Sequence, residues 1–467
     1  FEEFGRVADV MWSTVWAELV DSISSFDLTP RHGPGATAEK IRGNTKYQLK
    51  KWHTRLEPFF PLDWYGLPKP DLLELEGDLD EIELVDPDAE QPVRVVSVPK
   101  TLRTPRIIAI EPVCMQYTQQ ALARAIVRTL EQHPLTRGHI NFTDQRVNRK
   151  LALDSSKSQN FATVDLSEAS DRVGADLVYR MLASVPTFRD AVFACRSIRA
   201  TLEDGRTYHL TKFASMGSAL CFPVEAMVFY TLCVMARLQA LSLHPTPRNI
   251  KSVSRSVYVY GDDIIVPANE VHILANLMAL YGLKVNSNKS FGTGKFRESC
   301  GMDAYDGTDV TPCYVRRLFP RKKQDFSEIV STVSLANQLY HKGWWASARH
   351  VRAKLEALTG PLPHVRDTSP CLGWTSVDNR YTVHGWDSDL HCHKVRGMVV
   401  SARSYADPLL GYAALMKCFL GAKLREEESV GDTLFDALFP RAVSEDHLER
   451  SVRSGSVRIN CRWVPAT

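Results

Sequence analysis

Short β-branched and aromatic runs alternate with helical stripes along most of this chain, and one pair of runs encloses a charged turn. Val257 to Tyr260 and Ile264 to Val266 have the composition of buried strands, with Gly261, Asp262 and Asp263 between them, so a hairpin is predicted there. Phe161 to Val164 is a second short apolar strand, ending at Asp165. A helix follows it, with Val173, Leu177, Val178, Met181 and Leu182 at 3.6-residue spacing. Further helices are expected over Met11–Ile23, over the stripe from Val271 to Tyr281 that Gly282 terminates, and over Phe326–Leu339. The run Ala219 to Ala236 is 18 residues long, near the length of a membrane span. It contains Pro223 and Glu225, and a strand-like run follows soon after, so a helix buried inside the protein is expected instead. No internal repeat or low-complexity linker interrupts the pattern.

Composition adds little until charge is divided along the chain. The 467 residues, 44% hydrophobic and 24% charged, suit two to four globular domains or one large multi-lobed body. Asp71 to Glu90 carries ten acidic residues and no basic ones, so a net charge of +3 leaves the remainder at +13. Such a body attracts polyanions, although a solvated acidic face beside ordinary basic surface accounts for charge equally well. The ten cysteines are scattered without a C-x-x-C pair, which suggests reduced thiols rather than zinc or a disulfide framework. His391-Cys392-His393 lacks a second ligand pair at zinc spacing. The sequence opens at Phe1 with no basic n-region or cleavage site, so no secretory signal is expected and a missing start is.

Candidate chemistry centres on the hairpin. Two aspartates between apolar strands are costly to desolvate unless a cation holds them, and Mg²⁺ prefers one or two carboxylates plus substrate phosphates. Gly-Asp-Asp alone is weak evidence, since it arises by chance in about one chain in ten of this length. Its neighbours strengthen it. Val93 to Glu111 reads as two strands flanking a turn with Lys100, Arg103 and Arg106, a ribbon able to grip a triphosphate or simply a solvated basic hairpin. Asp165, at a strand end near a helix start, is placed as a metal ligand or as a helix cap. A hairpin is expected from residue 201, and Ala214 to Ala219 then form a small-residue turn containing Ser215 and Gly217. That turn lets backbone approach a nucleic acid closely, or caps the next helix at Ser215. Trp52 to Trp64 is aromatic and basic, suited to packing first and to base stacking second. The basic end (Arg441, Arg450, Arg453, Arg458, Arg462) has no assigned role.

In order, these parts resemble motifs F, A, B, C, D and E of a viral RNA-dependent RNA polymerase, and more narrowly the replicase subunit of single-stranded RNA bacteriophages, the levivirus group. The matching residues are Asp-Leu-Ser-Glu-Ala-Ser-Asp at 165–171, Ser-Met-Gly at 215–217, Tyr-Gly-Asp-Asp-Ile-Ile at 260–265, Gly-Lys-Phe-Arg-Glu-Ser-Cys-Gly at 294–301 and Asp-Val-Thr-Pro at 309–312. The resemblance covers residues 93–317. It implies an α+β right hand of fingers, palm and thumb, the palm being an antiparallel sheet backed by helices. Residues 1–95 would be an N-terminal region with part of the fingers and 96–160 the fingers with the basic ribbon. Residues 161–317 would be the palm, with a fingers insertion near 185–212, and 318–467 the thumb and C-terminal region. It implies RNA synthesis on an RNA template, with Asp165 and Asp262 holding two Mg²⁺ ions (Mn²⁺ as substitute), assisted by Asp263. Lys100, Arg106 and Arg103 would bind the triphosphate, Ser215 and Gly217 the RNA strand and nucleotide, and Lys289, on a strand, would donate a proton to pyrophosphate. The ribose-reading aspartate of other palms falls at Ser170, with Asp171 one further on, and Cys221 and Glu225 replace a usual threonine and asparagine.

Expected partners are template and product RNA and ribonucleoside triphosphates, with host translation elongation factors and a ribosomal protein as subunits, in the cytoplasm of an infected bacterium. Two rivals stand beside this reading: a narnavirus- or mitovirus-type replicase, and a non-catalytic RNA-binding protein on a polymerase scaffold. A reverse transcriptase fits less well, because glycine precedes the paired aspartates.

Overall fold

A twenty-residue helix, Cys221–Ala240, runs through the interior of the larger part of the molecule, and the candidate chemistry is arranged around it. The computed structural model describes residues 1–66, 82–99, 105–402, 407–432 and 457–466. They divide into two compact units, Phe1–Thr311 with Asp407–Glu428, and Pro312–Ala406 with Ser429–Thr467. The architecture is α+β throughout.

The first unit opens with α1 (Glu2–Trp12) and α2 (Ala17–Ser24), where the sequence predicts one helix from Met11. The polar and β-branched residues Ser13, Thr14 and Val15 favour a break. The break lets both tryptophans turn inward: Trp12 Nε1 donates to Thr231 Oγ1 at 3.0 Å, and Trp16 packs on Phe188 at 4.6 Å between centroids. Next come β1 (Lys51–His53), α3 (Leu62–Tyr65) and β2 (Glu83–Val85), β1 and β2 pairing in parallel. Trp52 is fully buried, so packing wins over base stacking there. The acidic run ends inside the protein, where Arg55 makes a forked contact with buried Glu90 (2.6 and 2.8 Å).

The basic ribbon forms as predicted: β3 (Val93–Pro99) and β4 (Pro105–Ile110) pair antiparallel from Arg94 with Ile110 to Pro99 with Pro105. Helices α4 (Val113–Gln132) and α5 (Arg146–Ser158) lead to β5 (Phe161–Val164). The predicted single helix after Asp165 is two pieces, α6 (Ala169–Arg172) and α7 (Ala175–Met181). The backbone at 211–213 takes its place in between, with Phe213 N–H donating to Val173 O and Ala175 N–H to Thr211 O. After α8 (Pro186–Ala194), the hairpin of β6 (Arg199–Thr201) and β7 (Thr207–His209) joins the ribbon in one sheet, in the order β4-β3-β6-β7.

The central helix is α9 (Cys221–Ala240), followed by α10 (Pro247–Ser254), β8 (Tyr258–Tyr260), β9 (Asp263–Pro267) and α11 (Val271–Leu280). By length and composition α9 could cross a membrane, yet 94% of its most apolar window is buried inside the protein. Strands β10 (Phe296–Ser299), β11 (Met302–Tyr305) and β12 (Thr308–Asp309) form a meander. Its first turn, Cys300-Gly301, has positive φ at both residues (49° and 73°), as a type I′ hairpin requires.

The second unit comprises α12 (Phe326–His341), α13 (Trp345–Thr359) and a sheet of β13 (Gly385–Asp387) and β14 (Cys392–Ala402). Helix α14 (Gly411–Asp432) lies, as far as Glu428, with the first unit, where Arg124 meets Glu427 at 2.9 Å. β15 (Val457–Pro465) then completes the three-stranded sheet β13-β14-β15.

One buried acid gives the first unit a pH dependence. Glu111, just past β4, accepts from Ser197 Oγ at 2.5 Å, and burial pushes its carboxyl up to about 7 from 4.5. The folded state therefore holds a proton that the unfolded chain releases. This contribution is present in full below pH 4.5 and is lost as pH rises towards 7. Glu111→Gln keeps the neutral shape. Its melting temperature minus that of the wild type is expected near zero at pH 4.5 and positive by pH 8, worth about 3 kcal/mol. A difference flat in pH would contradict this.

Candidate active site

Strand β9 is the middle of a three-stranded antiparallel sheet, β5-β9-β8. β8 and β9 close on a two-residue turn, since Tyr260 pairs with Asp263 and leaves Gly261 and Asp262 at the tip. Gly261 has φ of +61°, the value a type II′ turn demands of its first central residue. The position has a second constraint, because a Cβ there would lie 1.8 Å from Phe222 Cε2 on α9. On the other side, β5 pairs with β9 up to Val164 opposite Ile264. Carried one residue further, that register sets Asp165 level with Asp263, beside Asp262. The register thus brings Asp165 to the same end of the sheet as the consecutive pair Asp262 and Asp263, about a hundred positions away in sequence.

Asp165 and Asp263 are held from outside the sheet. Asn286 Nδ2 donates to Asp165 Oδ2 at 2.8 Å, and Ser290 Oγ accepts from Asp165 N–H at 3.1 Å. Ser299 Oγ lies 3.4 Å from Asp263 Oδ1, and the side-chain amide of fully buried Asn148 reaches Asp263 O at 3.4 Å. None of these four is among the residues the sequence points to. Polar residues next to the motifs were the available signal, but their partners lie 36 to 125 positions away. Arg297, fully buried on β10, fastens the sheet from behind: Nε donates to Phe161 O at 2.6 Å, and Nη1 to Gly294 O and Phe296 O at 2.9 and 2.6 Å. Arg297→Leu leaves three carbonyls without their charged donor, and is expected to cost about 3 kcal/mol or more in urea unfolding. An unchanged midpoint would show that the guanidinium is not the fastening.

Charge is concentrated around Asp262. Burial, then the Asp262 charge, pushes Asp263 up to about 6. Glu225, buried on α9, is pushed up to about 8 by burial first, then by Asp262, with Cys221 opposing and Asp171 adding to the rise. Cys221 Sγ lies 3.9 Å from Glu225 Oε2, and burial followed by the Glu225 and Asp171 charges raises its thiol well above the usual range. Asp171 pairs with Lys212 at 2.5 Å. So the residues that depart from the general polymerase pattern at 171, 221 and 225 share one environment next to Asp262. Among the described residues, no three His, Cys, Asp or Glu side chains converge as a self-sufficient metal cage. A pair of hard oxygen donors in which the Asp262 charge raises the proton affinity of Asp263 fits an ion such as Mg²⁺, which completes its shell with phosphates and water.

The remaining predicted site residues fall less simply. Arg106 is exposed on β4 opposite Val98, whereas Lys100 and Arg103 lie outside the described residues. Lys289 is not on a strand. It is exposed in a turn at 287–289, between isolated bridges at Val285 and Phe291, and its charge opposes the burial-driven rise of Glu298. The short run 284–291 spends its backbone on those bridges and on Asp165, leaving no continuous ladder. Ser215 does not cap α9, which starts at Cys221 after Leu220. Gly217 (φ +129°) is in close approach, but to protein: a Cβ there would sit 1.9 Å from Ala109 O, beside the bond from Ala109 N–H to Met216 O at 2.8 Å. The 215–217 turn is thereby docked on the basic ribbon.

The sequence has known relatives. The model of the family described as RNA replicase, beta-chain matches residues 83–345. The chain is 36% identical over 223 residues to the RNA-directed RNA polymerase subunit beta of Qbeta virus (strain MX1), covering 48% of this chain and 35% of that one. It is 32% identical to the RNA-directed RNA polymerase beta chain of Escherichia phage MS2, covering 48% and 37%. The match thus spans little more than a third of the length of these curated relatives. Among solved structures, the RNA-dependent RNA polymerase of a human picorbirnavirus aligns over 57% of this chain and 55% of that one, at 13% identity and a TM-score of 0.39. The relatives are phage proteins, and a narnavirus- or mitovirus-type assignment is not favoured. By the family match, which takes in Asp165, Asp262, Asp263 and the ribbon alike, the chain belongs to the RNA replicase beta-chain family.

Proposed function

We propose that this chain is an RNA-directed RNA polymerase that replicates a positive-strand phage RNA by two-metal nucleotidyl transfer in an infected bacterium. The observation that carries the reading is the strand register, which brings Asp165 level with Asp263 beside the Asp262 turn. Asp165 and Asp262 would hold the metal ions, with Asp263 assisting. Bound Mg²⁺ supplies activation of a 3′-hydroxyl and neutralisation of a leaving pyrophosphate.

The chain's own residues supply the rest. Asn286 and Ser290 fix the Asp165 carboxylate and backbone, so that its oxygens are oriented before substrate arrives. Arg106, with Lys100 and Arg103, binds the triphosphate through forked and point-charge contacts. Lys289 is the acid that protonates pyrophosphate as it leaves, its exposure allowing it to be re-protonated from water. The docked 215–217 turn supports the RNA strand and nucleotide from the ribbon side. Asp171 binds the incoming nucleotide on the ribose side. Residues 1–95 serve as an N-terminal region with part of the fingers, 96–160 with the insertion near 185–212 as fingers, 161–317 as palm, and 318–467 as thumb and C-terminal region. Host translation elongation factors and a ribosomal protein are the proposed subunits.

The test is incorporation of labelled ribonucleotides on an RNA template with Mg²⁺, by the purified chain and again in bacterial lysate, with deoxynucleotides as the competing substrate. Template-dependent RNA in either setting supports the reading. Silence in both overturns it in favour of a binding scaffold, and preference for deoxynucleotides overturns the choice of product.

A further inference from the structure

The sheet of the second unit is only partly covered by its helices. Side chains alternate along β14, and on one face Met398 and Val400, with Ile459 from β15, pack on the apolar cluster of Ile329, Val333 and Leu355 from α12 and α13. The same face continues beyond the helices. There the register sets Gly385 opposite Lys394, and Arg396 opposite Trp463. Where the apolar cover ends, the face carries cations around a tryptophan that is 51% exposed.

That ring is fixed although it is not buried. Lys394 Nζ lies 5.6 Å from its centroid, and the His384 ring meets it edge-on at 6.4 Å. His384 is fixed in turn, because its Nδ1 accepts the Arg396 N–H at 3.1 Å; in neutral imidazole the proton is then on Nε2, available to a ligand. A large aromatic surface left in water loses the gain of burial, so an ordered, exposed ring among cations suits a ligand with flat bases and phosphates. Charge agrees: over 312–402 and 457–466 the chain has fifteen Lys and Arg against seven Asp and Glu.

We propose that the Trp463, Lys394, Arg396 and His384 face binds single-stranded RNA, with a base stacked on Trp463 and the backbone phosphates held by Lys394 and Arg396. Aromatic platforms flanked by cations bind single strands without sequence preference, since every base offers a flat face. None of these residues belongs to the proposed catalytic set. Only the choice of RNA over other polyanions rests on the function proposed above.

The test is fluorescence anisotropy of a labelled oligouridylate of about 12 nucleotides against the full chain, without nucleotides or metal, over a salt series. Trp463→Ala is expected to weaken binding about tenfold, and Trp463→Phe, which keeps a ring, by much less. Lys394→Glu with Arg396→Glu should flatten the slope of log affinity against log salt by about 1.4, for two phosphates on a single strand. A 4-thiouridine in the bound strand should photo-crosslink within 457–466. Wild-type affinity in Trp463→Ala overturns the proposal, and so does an equal loss in Trp463→Phe. An RNA affinity untouched by the charge reversals overturns it too. Because binding is read without turnover, a chain that binds through Trp463 yet makes no RNA would sink the polymerase reading and leave this one standing.

Discussion

Asp262→Asn should reduce ribonucleotide incorporation by about three orders of magnitude or more while leaving the fold at least as stable as before. The substitution keeps the size of the side chain and removes one charge. If that charge holds a metal ion, the loss is several kcal/mol of transition-state stabilisation. In the metal-free protein the same charge is a burden, because it helps push Asp263 up to about 6 and Glu225 up to about 8. Relieving it should lower both and hold the melting temperature at or above the wild-type value. Incorporation rates and thermal melts on the same preparation check this. Activity lost together with stability would mean that Asp262 serves the fold, and activity retained would remove it from the catalytic centre.

Gly217→Ala should be the most damaging conservative change outside the carboxylates. An added Cβ would lie 1.9 Å from the carbonyl oxygen of Ala109, a backbone atom that cannot rotate away, at a φ of +129° that side chains rarely adopt. Backbone strain of about 1–3 kcal/mol adds to overpacking of about 1–3 kcal/mol. The turn can escape only by leaving β4, which would displace the segment leading into α9. The expected result is a loss of about 2–6 kcal/mol in urea unfolding, new proteolytic cleavage near 213–220, and incorporation reduced at least about a hundredfold. A variant with wild-type midpoint and cleavage pattern would show that the turn is not docked on the ribbon.

What the sequence made legible was local. The hairpin of β8 and β9 follows from two β-branched runs around a glycine. Asp165 could be placed at a strand end because Phe161 to Val164 is short and apolar. What stayed hidden depended on distant partners. No periodicity announces that Asn286 will orient Asp165, that Arg297 will fasten the start of β5, or that Ala109 will meet Gly217. The break between α6 and α7 has the same origin, since the backbone of Val173 is drawn to Phe213. The neighbours of Lys289 resemble a strand motif, but its own backbone bonds are spent in a turn.

The most direct measurement is single-nucleotide extension of an RNA primer annealed to an RNA template, titrated with Mg²⁺ for the wild type, Asp165→Asn and Asp262→Asn, in bacterial lysate if host subunits prove necessary. The account predicts extension by the templated ribonucleotide alone, rising to saturation with the metal, and near-background extension by both variants at every concentration. Extension that needs no divalent metal, or that proceeds equally in either variant, would contradict it.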